Sequence, residues 1–402
     1  MKFWNSFFGL TLILQLLFSL TAEAAVPYPT VNTSGQLMLN GAPYRAIGVN
    51  YYSAFYRTLF YDRDTSYVDG FATLKKYNIP FARVMLSGYW PKDWNLYMTN
   101  KSEYFSRMDK VVHAAEVNNV GIIASLQFCA SCVSDLVGEP FRAWGNPNSK
   151  TIAFMRNYVT EVVTRYKNSP AIWGWEFGNE LPLAADLPNA PQFRPPVYKR
   201  FPSDPEPINR DDMDDLKSAD FDFAFAEFAK AVRAVDSVRM IDTGNSLPRP
   251  YAYHNSTSNS WGQDSPDEFC QVLHRDNPAE YNLISVHIYH HHIGKYFNKG
   301  ADSSLDQIIK VAASCAKQTK QALYIGEFGT GQKFNDPMNK SVYHMFLNAI
   351  VRNPVALATD WVFDYEPQNE TYNISVKNNL RIYVLEGIMS ANQQLKANGY
   401  KP

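Results

Sequence analysis

Short apolar runs rich in Val, Ile, Phe and Tyr recur along the chain, and the stretches between them place apolar residues at helical spacing. Eight runs read as strands: Tyr44–Tyr52, Ile79–Leu86, Gly121–Phe128, Ile172–Glu180, Arg239–Ser246, Leu283–Tyr289, Ala322–Gly329 and Ala356–Phe363. The intervening patterns predict helices over Thr65–Tyr77, Glu103–Asn119, Thr151–Lys167, Asp211–Asp236, Ser303–Lys320 and Asn339–Arg352, with a last one near Leu385–Ala397. The connection between the fifth and sixth strands is the least regular. Strand–helix alternation argues for a parallel sheet buried on both faces. Eight such units predict a (β/α)8 TIM barrel. A doubly wound sheet usually carries a glycine-rich phosphate turn after its first strand; this chain has Gly48-Val49-Asn50-Tyr51-Tyr52 there. Asn40-Gly41 between short apolar runs predicts a hairpin flanking the barrel bottom.

The N-terminal stretch is of another kind. Lys2, an apolar run from Phe7 to Leu20 and the small-x-small triplet Ala22-Glu23-Ala24 predict a signal peptide over residues 1–25, cleaved after Ala24 or Ala25. Residues 26–402 then form one catalytic domain, expected to be secreted and monomeric. No later stretch is long and apolar enough to span a bilayer. In an oxidising compartment, Cys129, Cys132, Cys270 and Cys315 predict two disulfides, with the pairing left open by spacing. A net charge of −1 gives no reason to expect nucleic acid or an anionic membrane as partner.

The candidate chemistry stands where a barrel keeps its functional side chains, at the C-terminal ends of strands. The fourth ends Trp175-Glu176-Phe177-Gly178-Asn179-Glu180 and the seventh Gly326-Glu327-Phe328-Gly329. Glycosidic bond cleavage needs two carboxyl groups, one protonated and one ionised, and Glu180 and Glu327 supply such a pair. The 25 Tyr, 25 Phe and 8 Trp suit both core filling and platforms for the apolar face of a sugar ring. Strict alternation sends Asn179 and Glu180 to opposite faces, so both serve one site only if the strand end turns. Pro182 to Arg210 is proline-rich and leaves the catalytic face, where it can shape a cleft. Asp211-Asp212 and Asp214-Asp215 then suit a helix start.

The run Trp-Glu-Phe-Gly-Asn-Glu, followed by Ile-Gly-Glu-Phe-Gly near residue 327, resembles glycoside hydrolase family 5 of clan A over nearly the whole mature chain. The resemblance implies a retaining enzyme with Glu180 as acid/base, Glu327 as nucleophile and Asn179 on the sugar 2-hydroxyl. It implies that Arg83, on the second strand, clamps the nucleophile and lowers its pKa. A structural ion pair with Glu176, a residue read as structural, is the other reading of Arg83. His287 and Tyr289 share a strand face, and the family pattern sets Tyr289 near the nucleophile and His287 near the acid/base. Trp361 matches a sugar platform. Gln127-Phe128 on the third strand departs from the aspartate and histidine of many members and leaves the sugar open. The resemblance favours β-1,4-mannan over β-1,4-glucan. A transglycosylase and a non-catalytic carbohydrate-binding barrel are the other readings. No metal or cofactor is expected, and His290-His291-His292 read as solvated loop histidines. Trp90, Trp94, Trp144 and Trp261 are candidates for further sugar subsites. Six Asn-x-Ser/Thr sites, at Asn32, Asn100, Asn255, Asn339, Asn369 and Asn373, leave glycosylation open.

Overall fold

The computed structural model describes residues 28–199, 209–297, 304–331, 333 and 338–400; the expected signal peptide lies outside them. The chain opens with a small antiparallel sheet, β1 (Thr30–Val31), β2 (Leu37–Leu39) and β3 (Ala42–Pro43). The eight expected barrel strands follow, most of them shorter than their apolar runs: β4 (Ala46–Asn50), β5 (Phe81–Met85), β6 (Gly121–Gln127), β7 (Ile172–Gly178), β8 (Met240–Asp242), β9 (Leu283–Tyr289), β10 (Ala322–Gly329) and β11 (Leu357–Asp360). They pair in parallel in the order β8-β7-β6-β5-β4-β11-β10-β9. Asn282 joins the two end strands: its backbone N–H donates to Ile241 O and its side-chain oxygen accepts the Ile241 N–H, each at 3.1 Å. The result is a nearly closed (β/α)8 barrel.

Inward residues of the lower barrel, among them Phe81, Ile123, Trp173, Met240, Leu283, Tyr324 and Leu357, pack together with Leu37 and Tyr44. The hairpin therefore seals the barrel bottom. Outward residues such as Ile47, Val84, Ile122 and Ile288 pack against the helical layer. That layer comprises α1 (Ser53–Phe60), α2 (Ser66–Lys76), α3 (Asn95–Thr99), α4 (Lys101–Asn118), α5 (Ala130–Val137), α6 (Lys150–Tyr166), α7 (Ser218–Arg233), α8 (Ala252–Ser258), α9 (Pro266–Asp276), α10 (Leu305–Gln318), α11 (Asn339–Arg352) and α12 (Ile382–Ala397). Full burial of one large apolar side chain contributes about 1.5–3 kcal/mol, so these two shells carry the fold.

One helical expectation needs correction. The helix predicted from Asp211 begins at Ser218 instead. Asp211 caps a single 3-10 turn by accepting the Met213 N–H at 2.9 Å, and Asp214 accepts from Phe141 N–H and Arg210 at 2.8 and 2.9 Å. These side-chain bonds give the backbone an alternative to the helix. In the irregular connection between β8 and β9 lie α8 and α9. Helix α9 starts on a capping box, Ser265 to Glu268, with Pro266 in its first turn. Cys270 of α9 is bonded to Cys315 of α10, and Cys129 to Cys132. Among the described residues no helix is long and apolar enough to cross a membrane.

Candidate active site

The β7 ladder stops at Gly178, where a Cβ would stand 2.5 Å from Gln127 O of the neighbouring strand. Two residues later Glu180 takes a left-handed backbone, φ 53°. That turn breaks the strand alternation, so Asn179 and Glu180 line one cavity. The Glu180 N–H donates to Gly244 O at 2.9 Å. Gly244 has φ +70°, and a Cβ on it would lie 1.9 Å from Gly178 O, so the crossing admits only glycine. Arg249 steadies the segment beyond Glu180, donating to the carbonyls of Pro182, Leu183 and Ala185 at 3.1, 2.7 and 2.7 Å.

Glu327 reaches the same cavity by a different route. The register of β10 against β9 shifts between Ile325 and Glu327, so Gly326 is an extra residue. A Cβ on Gly326 would stand 2.9 Å from His287 Nε2, which explains a glycine there. Gly326 O is anchored by Asn50 Nδ2 and Thr359 Oγ1 at 2.9 and 2.5 Å. The bulge turns Glu327 inward above Tyr324.

The guanidinium of Arg83, fully buried, organises the floor. Its Nε donates to both Glu176 oxygens at 2.9 and 2.7 Å. Nη1 donates to Asn50 Oδ1 at 3.2 Å and to Glu327 Oε1 at 2.7 Å. Nη2 donates to Gly178 O and Asn179 Oδ1 at 3.1 and 2.9 Å. The two sequence readings of Arg83 thus hold together, since one guanidinium pairs with both Glu176 and Glu327. The Tyr289 hydroxyl donates to Glu327 Oε2. His287 Nδ1 lies 2.8 Å from Glu180 Oε1 and 3.5 Å from Glu327 Oε2. One oxygen of each glutamate and a His287 ring nitrogen all fall within 4.8 Å of one another.

These contacts set the charges. Burial raises both carboxyls above their ordinary range. For Glu327 this corrects the expectation of a lowered value: desolvation outweighs His287, Arg83 and Tyr289, which pull it back down. Arg83, the Ser246 hydroxyl and His291 pull Glu180 back in the same sense. Burial drives His287 down to about 4, so it is a neutral hydrogen-bond partner near neutral pH. Two carboxylates this close do not both ionise readily. The donors are unequal: Glu327 takes a guanidinium N–H and a phenol O–H, which favour its charged form.

The cavity, of about 340 Å³, is walled by Tyr52, Tyr56, Tyr89, Trp90, Phe128, Trp361 and Tyr365, with Tyr289 and Gln368. Tyr52 stacks on Trp361 with centroids 5.1 Å apart and on Phe128 at 5.7 Å. The Trp361 indole N–H donates to Gln368 Oε1 at 2.9 Å, which fixes the ring at the cavity wall. All seven sequence-selected residues, Arg83, Asn179, Glu180, His287, Tyr289, Glu327 and Trp361, converge here, with Arg83 and His287 beneath the lining. Of the four loop tryptophans, Trp90 joins the wall and stacks obliquely with Tyr198 of the proline-rich loop at 4.3 Å. Trp94 and Trp144 are fully buried and serve packing, whereas Trp261 is exposed. His291 stacks on Tyr289, and His292 Nδ1 accepts the Tyr289 N–H at 3.1 Å. Sequence reasoning missed Tyr52, Ser246 and Arg249; Ser246 closes the fifth apolar run, and nothing in its neighbours marks it. Glu180, His287 and Glu327 form one donor set close enough to meet a metal ion, and His254, Asp264 and Glu268 form another. In each, the histidine is already hydrogen-bonded to a carboxylate at 2.8 Å.

Comparison with known proteins places the fold and the family. The family described as Cellulase (glycosyl hydrolase family 5) matches residues 41–365. The chain is similar to the solved endo-1,4-beta-mannanase from Rhizomucor miehei, with 17% identity over 92% of this chain and 99% of that one and a TM-score of 0.66. It is also similar to the endo-beta-1,4-mannanase from Thermotoga petrophila, with 13% identity, 90% and 79% coverage and a TM-score of 0.63. The exo-beta-1,4-mannosidase from Opitutaceae bacterium strain TAV5 shares 14% identity over 92% of this chain and 63% of that one, with a TM-score of 0.62. A search of curated proteins finds no match. The matched span holds both strand-end glutamates and the residues around them, and the chain belongs to glycosyl hydrolase family 5, as a glycoside hydrolase on a (β/α)8 barrel.

Proposed function

We propose that this chain is a secreted, retaining endo-β-1,4-mannanase, with Glu327 as nucleophile and Glu180 as acid/base. One observation carries the reading: oxygens of the two glutamates approach within 4.8 Å and have opposed hydrogen-bond environments. Retaining pairs stand about 5–5.5 Å apart, whereas inverting pairs are held about 6.5–9.5 Å apart to admit water. Glu327, held ionised by Arg83 and Tyr289, attacks the anomeric carbon. Glu180 gives its proton to the leaving oxygen, then takes one from the water that releases the sugar with its configuration retained. His287 stays neutral and orients Glu180 without fixing it as a carboxylate. Asn179, braced by Arg83, faces the sugar 2-hydroxyl. The aromatic wall around Trp361 receives the apolar ring face.

Mannan is favoured over glucan because the similar solved structures are mannanases and a mannosidase. Export is supported by the signal-like residues 1–25 and by two disulfides. The test is activity of the purified mature protein on β-mannan, glucomannan, cellulose and β-1,3-glucan, beside Glu327→Ala. Mannan hydrolysis lost in the variant is the expected result. Preference for cellulose would make the chain a glucanase, and activity retained in the variant would remove Glu327 from the mechanism.

A further inference from the structure

Beneath the glutamate pair, Asp242 of β8 stands directly across from Glu176 of β7 in the sheet register. Both side chains are fully buried. Asp242 Oδ1 accepts the Gly244 N–H at 3.0 Å. Among the described residues its other oxygen meets no N–H or O–H donor, and the group set beside it across the sheet is the Glu176 carboxyl, itself without a proton donor to offer unless one of the two is protonated. A hydrogen bond between two carboxyl groups needs a proton on one of them. Both Glu176 oxygens already accept from Arg83 Nε. Arg83 is the cation facing the pair, and its N–H groups go to Glu176, Asn50, Glu327, Gly178 and Asn179, none to Asp242. The other titratable groups facing Asp242 are Tyr281 and Tyr324, whose burial keeps them neutral.

We propose that Asp242 is a protonated positioning residue for both catalytic glutamates, donating its proton to Glu176 and bracing the Gly244 turn with its other oxygen. On one side it leaves Arg83 facing two anions instead of three, so the guanidinium charge is available to Glu327. On the other side it fixes the turn whose carbonyl accepts the Glu180 N–H. Burial and the Glu176 charge both push the Asp242 carboxyl well above its ordinary range, in the same sense. The mechanistic consequence rests on the assignment of Glu180 and Glu327 above; the protonation state does not.

Two measurements test it. Infrared difference spectroscopy of the parent protein against Asp242→Asn at neutral pH should show a protonated carboxylic acid stretch that is lost in the variant. Asp360, also buried with a raised value, contributes equally to both spectra and cancels. A carboxylate band in that difference would overturn the proposal, whatever the enzyme's activity. In kinetics, Asp242→Leu should lower kcat about 10–100-fold with little change in KM, the cost of one buried hydrogen-bond partner. Asp242→Asn, which keeps both an acceptor for Gly244 and a donor for Glu176, should restore kcat to within about threefold. Equal losses in the two variants would show that charge at Asp242 is what the site needs. If Asp242→Leu does not fold, the infrared difference decides alone.

Discussion

Removal of the Tyr289 hydroxyl tests how the site assigns its proton. Tyr289→Phe keeps the ring, which packs edge-on to Tyr372 at 5.7 Å and stacks on His291 at 5.8 Å. It deletes one of the donors to Glu327, leaving Arg83 Nη1 at 2.7 Å. The Glu327 side chain is 6% exposed, so solvent compensates little. A hydrogen bond to a charged group contributes about 1.5–3 kcal/mol. At about 1.36 kcal/mol per pKa unit, the ionised form loses the equivalent of about 1–2 units. The sign follows from the role: the hydroxyl favours the carboxylate, so its loss raises the pKa of Glu327. The acidic limb of kcat/KM against pH, which reports the nucleophile in the free enzyme, should rise by about 1–2 units. The alkaline limb, set by Glu180, should stay near its parent position, and the bell narrows. The assay is kcat/KM on a soluble mannan from about pH 3 to about pH 9, beside a thermal melt of both proteins. An acidic limb that is unmoved, or that falls, would refute the assignment of Tyr289 to the ionised nucleophile.

Three further outcomes follow from the same contacts. His287 is held neutral in the folded state, with its value near 4 against about 6.5 when unfolded. As pH falls from about 6.5 through 4, the unfolded chain binds a proton that the folded one refuses, so up to about 3 kcal/mol of stability is lost; urea titrations at the two pH values should show a smaller loss in His287→Gln than in the parent. The Cys270–Cys315 bridge spans 45 residues and Cys129–Cys132 only 3; chain entropy gives about 4 and about 1.6 kcal/mol, so paired Cys→Ser variants should differ in that order in chemical denaturation. Arg249→Gln frees three carbonyls behind Glu180. It should cost kcat about tenfold while KM holds, and an unchanged kcat would show that the segment is held otherwise.

The barrel was legible because a sheet buried on both faces writes itself as apolar runs, and all eight were read. Their ends were not, because the point where a ladder stops depends on the neighbour: β8 keeps only Met240–Asp242 of the run Arg239–Ser246. Alternation correctly put His287 and Tyr289 on one face of β9. For Asn179 and Glu180 it required the strand end to turn, and the left-handed turn at Glu180 that does so depends on Gly244 of the next strand, which the local sequence does not mark. The bulge at Gly326 is a matter of register between two distant segments and has no mark in one of them. An arginine inside an apolar strand announced a buried partner, but the alternative of Glu176 or Glu327 was false, because depth along the barrel decides reach and Arg83 touches both. Trp94 and Trp144 show the same limit. Their loop positions suggested exposure, and only packing against α5 and α6 makes them core. Helices α5 and α8 have only eight and seven residues, too few for a clear helical period; α9 carries its start in the sequence as the capping box Ser265 to Glu268.

The central claim is that Glu327 forms the covalent bond to the sugar. Its most direct test is incubation with an activated 2-deoxy-2-fluoro-β-mannoside, which slows the release of a glycosyl intermediate, followed by mass mapping of the labelled peptide. One label per chain, on Glu327, and none in Glu327→Gln, is the expected result. A label on Glu180 or another residue, or hydrolysis that yields the inverted anomer with no label, would contradict it.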